Sequence, residues 1–328
     1  MDNLLRIENI SLELQSKTEK LKLTENVSLE IKPGETVGII GESGCGKSLT
    51  ALSILGLLDS NIKITEGKIF FKDICLNELP PEKLRKICGK EIGMVFQEPM
   101  TALNPVFTIE QQLMAPMKEH LKLPKKELKN RCITLLQDVG IKNPERVLKS
   151  YPHELSGGMR QRIVIAIAIA CQPKLLIADE PTTALDVTIQ QQILIVLKRL
   201  IHKNKMALLI ISHDMGVISM MAEWISVMYG GEVVEEGAKD DIMKRSLHPY
   251  SAKLIEAANN LNNGDGELVI VEGNVPRPGD DIQGCKFSNR CEYCMEKCLK
   301  MKPPCVESGK GYVRCWKYVE EQSENVGR

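Results

Sequence analysis

Several groups of residues in this 328-residue chain have types and spacings that could do chemistry. Gly41-Glu42-Ser43-Gly44-Cys45-Gly46-Lys47-Ser48 satisfies the phosphate-loop pattern G-x-x-x-x-G-K-[ST] at every fixed position. The glycines let backbone N–H groups close around phosphate oxygens, and the helix that follows adds the positive end of its dipole. Lys47 would neutralise β- and γ-phosphates, and the Ser48 hydroxyl would be a magnesium ligand. Asp179-Glu180 follows the apolar run Leu175-Leu176-Ile177-Ala178. Asp179 is placed to hold the magnesium, directly or through water, and Glu180 to polarise an attacking water as general base. The competing reading is a pair of solvated loop acids. Gln97 closes the apolar run Ile92–Phe96, and His213 follows Ala207–Ile211 and Ser212. Alone, Gln97 is equally an ordinary loop glutamine and His213 a satisfied structural histidine. At the ends of parallel strands they would face ligand, with His213 near the γ-phosphate. Ser156-Gly157-Gly158 opens an Ile-, Val- and Ala-rich helix, either as an anion-binding N-terminus or as a plain N-cap with flexible glycines.

The elements that must position these groups follow from the hydrophobic pattern. Thr36–Ile40, Ile92–Phe96, Leu175–Ala178 and Ala207–Ile211 read as short buried strands, and Leu49–Leu58 as a helix. Residues 4–31 alternate loosely and predict short antiparallel strands, with Pro33-Gly34 as a turn and Gly67–Phe71 as one more strand of that layer. Residues 108–150 read as helical and polar, broken at Leu121–Pro124, with Gly140 as a C-terminal cap. Asp186 is an N-cap for the helix carrying Ile189, Ile193, Val196, Leu197 and Leu200 on one face. The pattern predicts an α/β fold with a helical insertion.

Composition narrows the function. The chain balances 43 Lys and Arg against 43 Asp and Glu, so it offers no basic footprint for nucleic acid. The start, Met1–Arg6, lacks a signal-peptide layout, and the longest apolar run, Ile163–Cys171, is too short to span a bilayer. The expectation is a soluble, cytosolic protein with any membrane role carried by partners. Of the eleven cysteines, six lie between Cys285 and Cys315.

Taken together, the order and spacing over about residues 4–245 resemble the nucleotide-binding subunit of an ABC transporter. The resemblance implies that Gly41–Ser48, with Leu49, is the Walker A stretch that holds ATP. Gln97 is then the Q-loop residue, joining Ser48 and Asp179 on magnesium. Leu155–Met159, with Ser156, Gly157 and Gly158, is the signature motif, and Leu175–Asp179 is Walker B. Glu180 is the catalytic glutamate, Ala184-Leu185-Asp186 the D-loop and His213 the switch histidine. The family's architecture implies a P-loop core with an N-terminal antiparallel β layer and a helical subdomain. It also implies two ATP molecules sandwiched between paired subunits. One departure is Leu14, which stands where many members carry an aromatic that stacks on adenine.

The tail resembles the oligopeptide and dipeptide importers through His248-Pro249-Tyr250-Ser251 and Val275–Gly279 followed by Gly284-Cys285, and the stretch Gln97–Pro105 also resembles that subfamily. This gives an expected division into a nucleotide-binding domain, 1–247, with its helical subdomain at about 100–165, and an importer-type extension, 248–328. The subfamily pattern falls on Cys285, Cys291, Cys298 and Cys315 and implies a [4Fe–4S] cluster. Zinc on thiolates, favoured by Cys291-x-x-Cys294, and reduced, unliganded thiols stay open beside it. Cys45, inside the phosphate loop, is either a target for thiol reagents or a small filler. The resemblance implies two membrane permeases, a second ATP-binding subunit, like or unlike, and an extracytoplasmic substrate-binding protein as partners, with the chain peripheral on the cytoplasmic face. Nickel or another small cargo is an alternative to peptides. A soluble ABC ATPase acting on nucleic acid or ribosomes is the alternative class, opposed by the balanced charge.

Overall fold

A computed structural model of the chain describes residues 3–16, 20–98, 102–183, 185–263, 273–280 and 282–319. Ala184 of the expected D-loop and 99–101 of the Gln97–Pro105 stretch lie outside the described residues. The strands, in chain order, are β1 Leu5–Gln15, β2 Lys20–Ile31, β3 Thr36–Ile40, β4 Ile62–Phe71, β5 Ile74–Cys75, β6 Ile92–Val95, β7 Leu175–Asp179, β8 Ala207–Ser212, β9 Trp224–Tyr229, β10 Glu232–Ala238, β11 Val306–Ser308 and β12 Gly311–Val313. The helices are α1 Lys47–Leu55, α2 Pro81–Ile87, α3 Ile109–His120, α4 Lys125–Asp138, α5 Pro144–Lys149, α6 Gly157–Ala168, α7 Val187–Asn204, α8 Met215–Met221, α9 Lys239–Arg245, α10 Pro249–Asn263 and α11 Glu296–Lys300. They fall into two compact units, one made of Met1–Leu4, Ile31–Thr36 and Glu78–Ile211, the other of Leu5–Glu30, Val37–Asn77 and Ser212–Arg328.

In the first unit β6, β7 and β8 are parallel neighbours, with Ile92 opposite Leu175 and Leu175 opposite Ala207. Every residue of β7 and β8 is buried, which is why their sequences are unbroken apolar runs rather than alternating ones. The helical insertion is built as its punctuation dictates. Thr108 and Gln111 form a reciprocal capping box at the start of α3. Pro124 precedes α4, and Gly140 adopts φ +84° just beyond it.

In the second unit one sheet has the order β2-β1-β4-β5, with β1 and β4 antiparallel from Leu5↔Phe71 to Leu14↔Ile62. In this layer β1, β2 and β4 are long, not short as the alternation suggested, and only β5 is short. β1 runs through its own interruption, a register shift between Glu8 and Ser11 where Asn9 takes φ +49°. Another row runs β11-β12-β10-β9-β3; β9 pairs with β3 in parallel, and the rest are antiparallel. The helix after the phosphate loop ends at Leu55 rather than Leu58, because Gly56 turns left-handed at φ 65° and its N–H caps Leu52 and Ser53.

Candidate nucleotide-binding and catalytic site

In the second unit the phosphate loop links β3 to α1. Its glycines are required by contact. A Cβ on Gly41 would lie 2.2 Å from the Met228 carbonyl oxygen, and one on Gly46, at φ +100°, would lie 2.5 Å from Thr24 Cγ2. Gly46 is the N-cap of α1, with no side-chain cap and no acid in the first turn, so the helix start keeps its positive end for an anion. Lys47 is buried and its Nζ donates to the carbonyls of Gly41 and Glu42 at 2.7 and 2.9 Å. Ser48 and Leu49 are half-buried at the first turn, while Ser43 and Gly44 are exposed at the loop tip. Cys45 is fully buried; burial pushes its thiol up, against the opposing pull of Lys47. That is the environment of an inert thiol, not a reactive one. His213 is exposed after β8, ahead of Asp214, whose carboxylate caps α8 by accepting from Gly216 N at 2.7 Å. Leu14 is half-buried on β1 opposite Ile62.

The first unit gathers the other reactive groups. Asp179 is buried at the end of β7. Glu180, next along, takes φ +45°, a strained conformation for a residue with a side chain, and its N–H donates to the Ile211 carbonyl at 2.9 Å. Its carboxylate accepts from Gln97 Nε2 at 3.0 Å and from Thr183 Oγ1 at 2.8 Å, both on Oε2. The two donors orient the carboxylate at the strand end. Ser156 caps α6 by accepting from Met159 N at 3.4 Å. Gly157 is open to solvent, whereas a Cβ on Gly158 would lie 2.8 Å from Ile189 Cγ2 on α7. Asp186 caps α7 as expected, accepting from Ile189 N at 2.9 Å.

Two participants here escape a residue-by-residue reading. Thr183 holds the carboxylate of Glu180. Gln161, fully buried in α6, donates through Nε2 to the Pro181 carbonyl, tying the helix after Ser156 to the turn after Glu180. The sequence signals it weakly: Gln161 sits between Arg160 and Arg162, ahead of the apolar run Ile163–Ala168, and only its burial makes an uncompensated amide costly.

The expected cysteine set also comes together. Cys285, Cys291, Cys298 and Cys315 line one cavity of about 20 Å³, closed by His248, Phe287 and Trp316. Burial pushes the Cys285 thiol up to about 12, with the charges of Cys298, Cys315 and Cys291 adding to the rise. Cys294 and Cys305 are exposed. Four thiols are the right donors for a soft metal, but the cavity has room for about one water molecule. Among the described residues, no group of three or more His, Cys, Asp or Glu is placed to hold a metal ion.

Comparison with known proteins identifies the family. A family profile described as "ABC transporter" matches residues 24–183, and one described as "Oligopeptide/dipeptide transporter, C-terminal region" matches 234–298. The oligopeptide transport ATP-binding protein AppD of Bacillus subtilis is 44% identical over 99% of this chain and 99% of its own. The chain belongs to the ABC transporter family, in its oligopeptide/dipeptide branch. The dipeptide transport ATP-binding protein DppD of Haemophilus influenzae is 41% identical to this ABC ATPase over 98% of both. Among solved structures, the ATP-binding cassette MJ0796, dimeric and bound to ADP and Pi, matches with TM-score 0.64 and 33% identity, over 72% of this chain and 98% of its own. The ABC ATPase therefore has the P-loop ABC fold, with mixed α/β sheets and helices. No described helix of this family member is long and apolar enough to cross a membrane.

Proposed function

We propose that the chain is the ATP-hydrolysing subunit that energises uptake of dipeptides or oligopeptides through an ABC importer. The observation that carries the chemistry is the carboxylate of Glu180, held at the end of β7 by Gln97 and Thr183. In this reading Gly41–Leu49 binds ATP, while Ser48, Asp179 and Gln97 hold magnesium. Glu180 is the general base, and His213 reaches the γ-phosphate. Ser156, Gly157 and Gly158 serve the ATP of a paired subunit, beside Asp186 of the D-loop. Peptide cargo is supported by the names of the similar proteins, which are transport ATP-binding proteins for oligopeptides and dipeptides. The chain divides at about residue 247, with a cysteine-rich extension behind the nucleotide-binding domain. It acts with two permeases, a second ATP-binding subunit and an extracytoplasmic substrate-binding protein, as a peripheral protein on the cytoplasmic face.

The same reading gives Cys285, Cys291, Cys298 and Cys315 a [4Fe–4S] cluster, with zinc as the rival. It is supported by the shared cavity and opposed by that cavity's small volume, so loading requires the thiols to part. Its role is structural or regulatory. Metal analysis of anaerobically purified protein decides it; neither iron nor zinc in stoichiometric amount overturns it. For the function itself, tagged protein is drawn from gently solubilised native membranes. Two multi-span permeases in stoichiometric amount are expected, and labelled dipeptide uptake set against nickel uptake then fixes the cargo. Recovery only from the soluble fraction with ribosomal or DNA-processing proteins overturns the importer reading. Lys47→Ala is expected to weaken ATP binding itself.

A further inference from the structure

The phosphate loop is clamped from behind by residues far along the chain. The Arg290 side chain is 3% exposed and forms a two-pronged ion pair with Glu42, the second residue of the loop. Its Nη1 donates to Glu42 Oε2 at 2.7 Å and its Nη2 to Oε1 at 3.0 Å. Nη1 also donates to the Tyr229 hydroxyl at 3.2 Å. The guanidinium carbon lies 5.7 Å from the Tyr229 ring centroid and 5.9 Å from that of Phe287. Burial pulls the Arg290 pKa down, but Glu42 and Tyr229 outweigh it and leave it above the ordinary value. A second tie reaches the same residue. The N–H of Glu42 donates to the buried Tyr250 hydroxyl at 2.9 Å. Tyr250 packs on Tyr229 with centroids 4.6 Å apart, and Tyr229 meets Phe287 edge-on at 5.2 Å.

This arrangement bears on two costs of binding a polyphosphate. A loop holding Gly41, Gly44 and Gly46 loses much conformational freedom when it closes on a ligand, and a loop already pinned loses less. Glu42 also puts a carboxylate into the loop that receives an anion. A fixed cation beside it offsets that repulsion, and a planar, always-charged guanidinium does so through two parallel hydrogen bonds that an ammonium cannot make.

We propose that Arg290, supported by Tyr250, is a positioning residue for the phosphate loop, so that the C-terminal region sets the affinity for nucleotide. The proposal rests on the reading of Gly41–Leu49 as the ATP site. The aromatic group carrying Arg290 includes Phe287, which also lines the cysteine cavity. A change at that cavity therefore has a short route of packed side chains to the loop.

The test measures binding of a fluorescent ATP analogue with Mg2+ to the full chain, together with KM and kcat for ATP. Arg290→Met keeps length and apolar packing but strands Glu42. It is expected to weaken binding about tenfold, with the loss in KM rather than kcat. Arg290→Lys, which keeps the charge without the fork, falls between. The deciding comparison is the double variant Glu42→Gln/Arg290→Met, which no longer strands a carboxylate and is expected to recover at least half the lost affinity on a logarithmic scale. A destabilised C-terminal region would give no such recovery. Affinity within twofold of wild type for Arg290→Met, or no recovery in the double variant, overturns the proposal. Lys47→Ala is measured alongside. If it too binds like wild type, the ATP-site reading has failed; if it loses binding while Arg290→Met does not, only the clamp has failed.

Discussion

Gln97 and Glu180 stand 83 residues apart in sequence and meet at 3.0 Å, amide nitrogen to carboxylate oxygen. They leave the ends of adjacent parallel strands, β6 and β7, so the sheet register brings them together. An amide beside a carboxylate donates without neutralising it, and Thr183 adds a second donor on the same oxygen. The positive φ of Glu180 turns the chain sharply where the strand ends. Strain of this kind, held in place by surrounding hydrogen bonds, belongs at functional sites.

If Glu180 is the general base, replacing it by an isosteric amide keeps the shape and removes the base. Glu180→Gln is therefore expected to lower turnover by at least about 100-fold while leaving ATP binding intact. ATP-bound dimers should accumulate and be visible by size-exclusion chromatography with Mg-ATP. A normal hydrolysis rate in this variant would show that another group activates the water.

The close approach at Gly41 makes a different prediction. A methyl group there would press on the Met228 backbone oxygen at 2.2 Å and on Cys45 Sγ at 2.7 Å, and backbone cannot rotate away as a side chain tip can. Gly41→Ala should cost about 1–3 kcal/mol in denaturant unfolding, as overpacking does. It should also weaken nucleotide binding, because relief requires β3 or β9 to shift beneath the loop. A variant with wild-type stability and affinity would mean that the strands yield more easily than packed backbone does.

How much of this was visible beforehand differs by residue. The phosphate loop, the apolar run before Asp179 and the cap at Asp186 were legible because local chemistry sets them: glycines for a tight turn, unbroken hydrophobics for a strand covered on both faces, an acid at a helix start. The extent of β1 was not, because a bulge at Asn9 hides continuity that only cross-strand pairing with β4 restores. Arg290 was invisible for a stronger reason. It pairs with a residue 248 positions away, and no period or spacing links a cation in the tail to one acid of the loop. The four cysteines were legible as a set, but the tightness of their shared cavity was not, since it depends on how Phe287 and Trp316 pack.

Cys45 gives a prediction about reactivity. A thiolate is the reactive form, and burial holds this thiol protonated despite Lys47 nearby, whose Nζ lies 3.8 Å from Sγ. At neutral pH a maleimide should label the exposed Cys294 and Cys305 first and leave ATP turnover unchanged at that stage. Peptide mapping by mass spectrometry after stoichiometric labelling reads this directly. Early modification of Cys45, with ATP protecting it, would mean that the loop opens far more readily than its packing indicates.

Acid stability depends on His248. This imidazole is fully buried, its Nδ1 accepts from the Tyr250 N–H at 3.1 Å, and burial depresses its pKa from 6.5 to about 3. The sign follows from proton counting. Between pH 6.5 and pH 3 the unfolded chain binds a proton at this site that the folded chain refuses, so stability rises with pH across that window. The contribution is intact above pH 6.5 and is lost as pH falls, by up to about 1.4 kcal/mol per pH unit. His248→Gln keeps a polar group able to accept from Tyr250 but cannot titrate. Urea unfolding of both proteins at pH 7.5 and pH 5 should show the wild type losing roughly 2 kcal/mol more than the variant on acidification. Taking the difference between the two proteins cancels the other titrating groups, including Glu236, whose pKa burial raises to about 7. Equal losses would mean that His248 accepts its proton in the folded chain, and that water reaches the region between Tyr250 and Phe287.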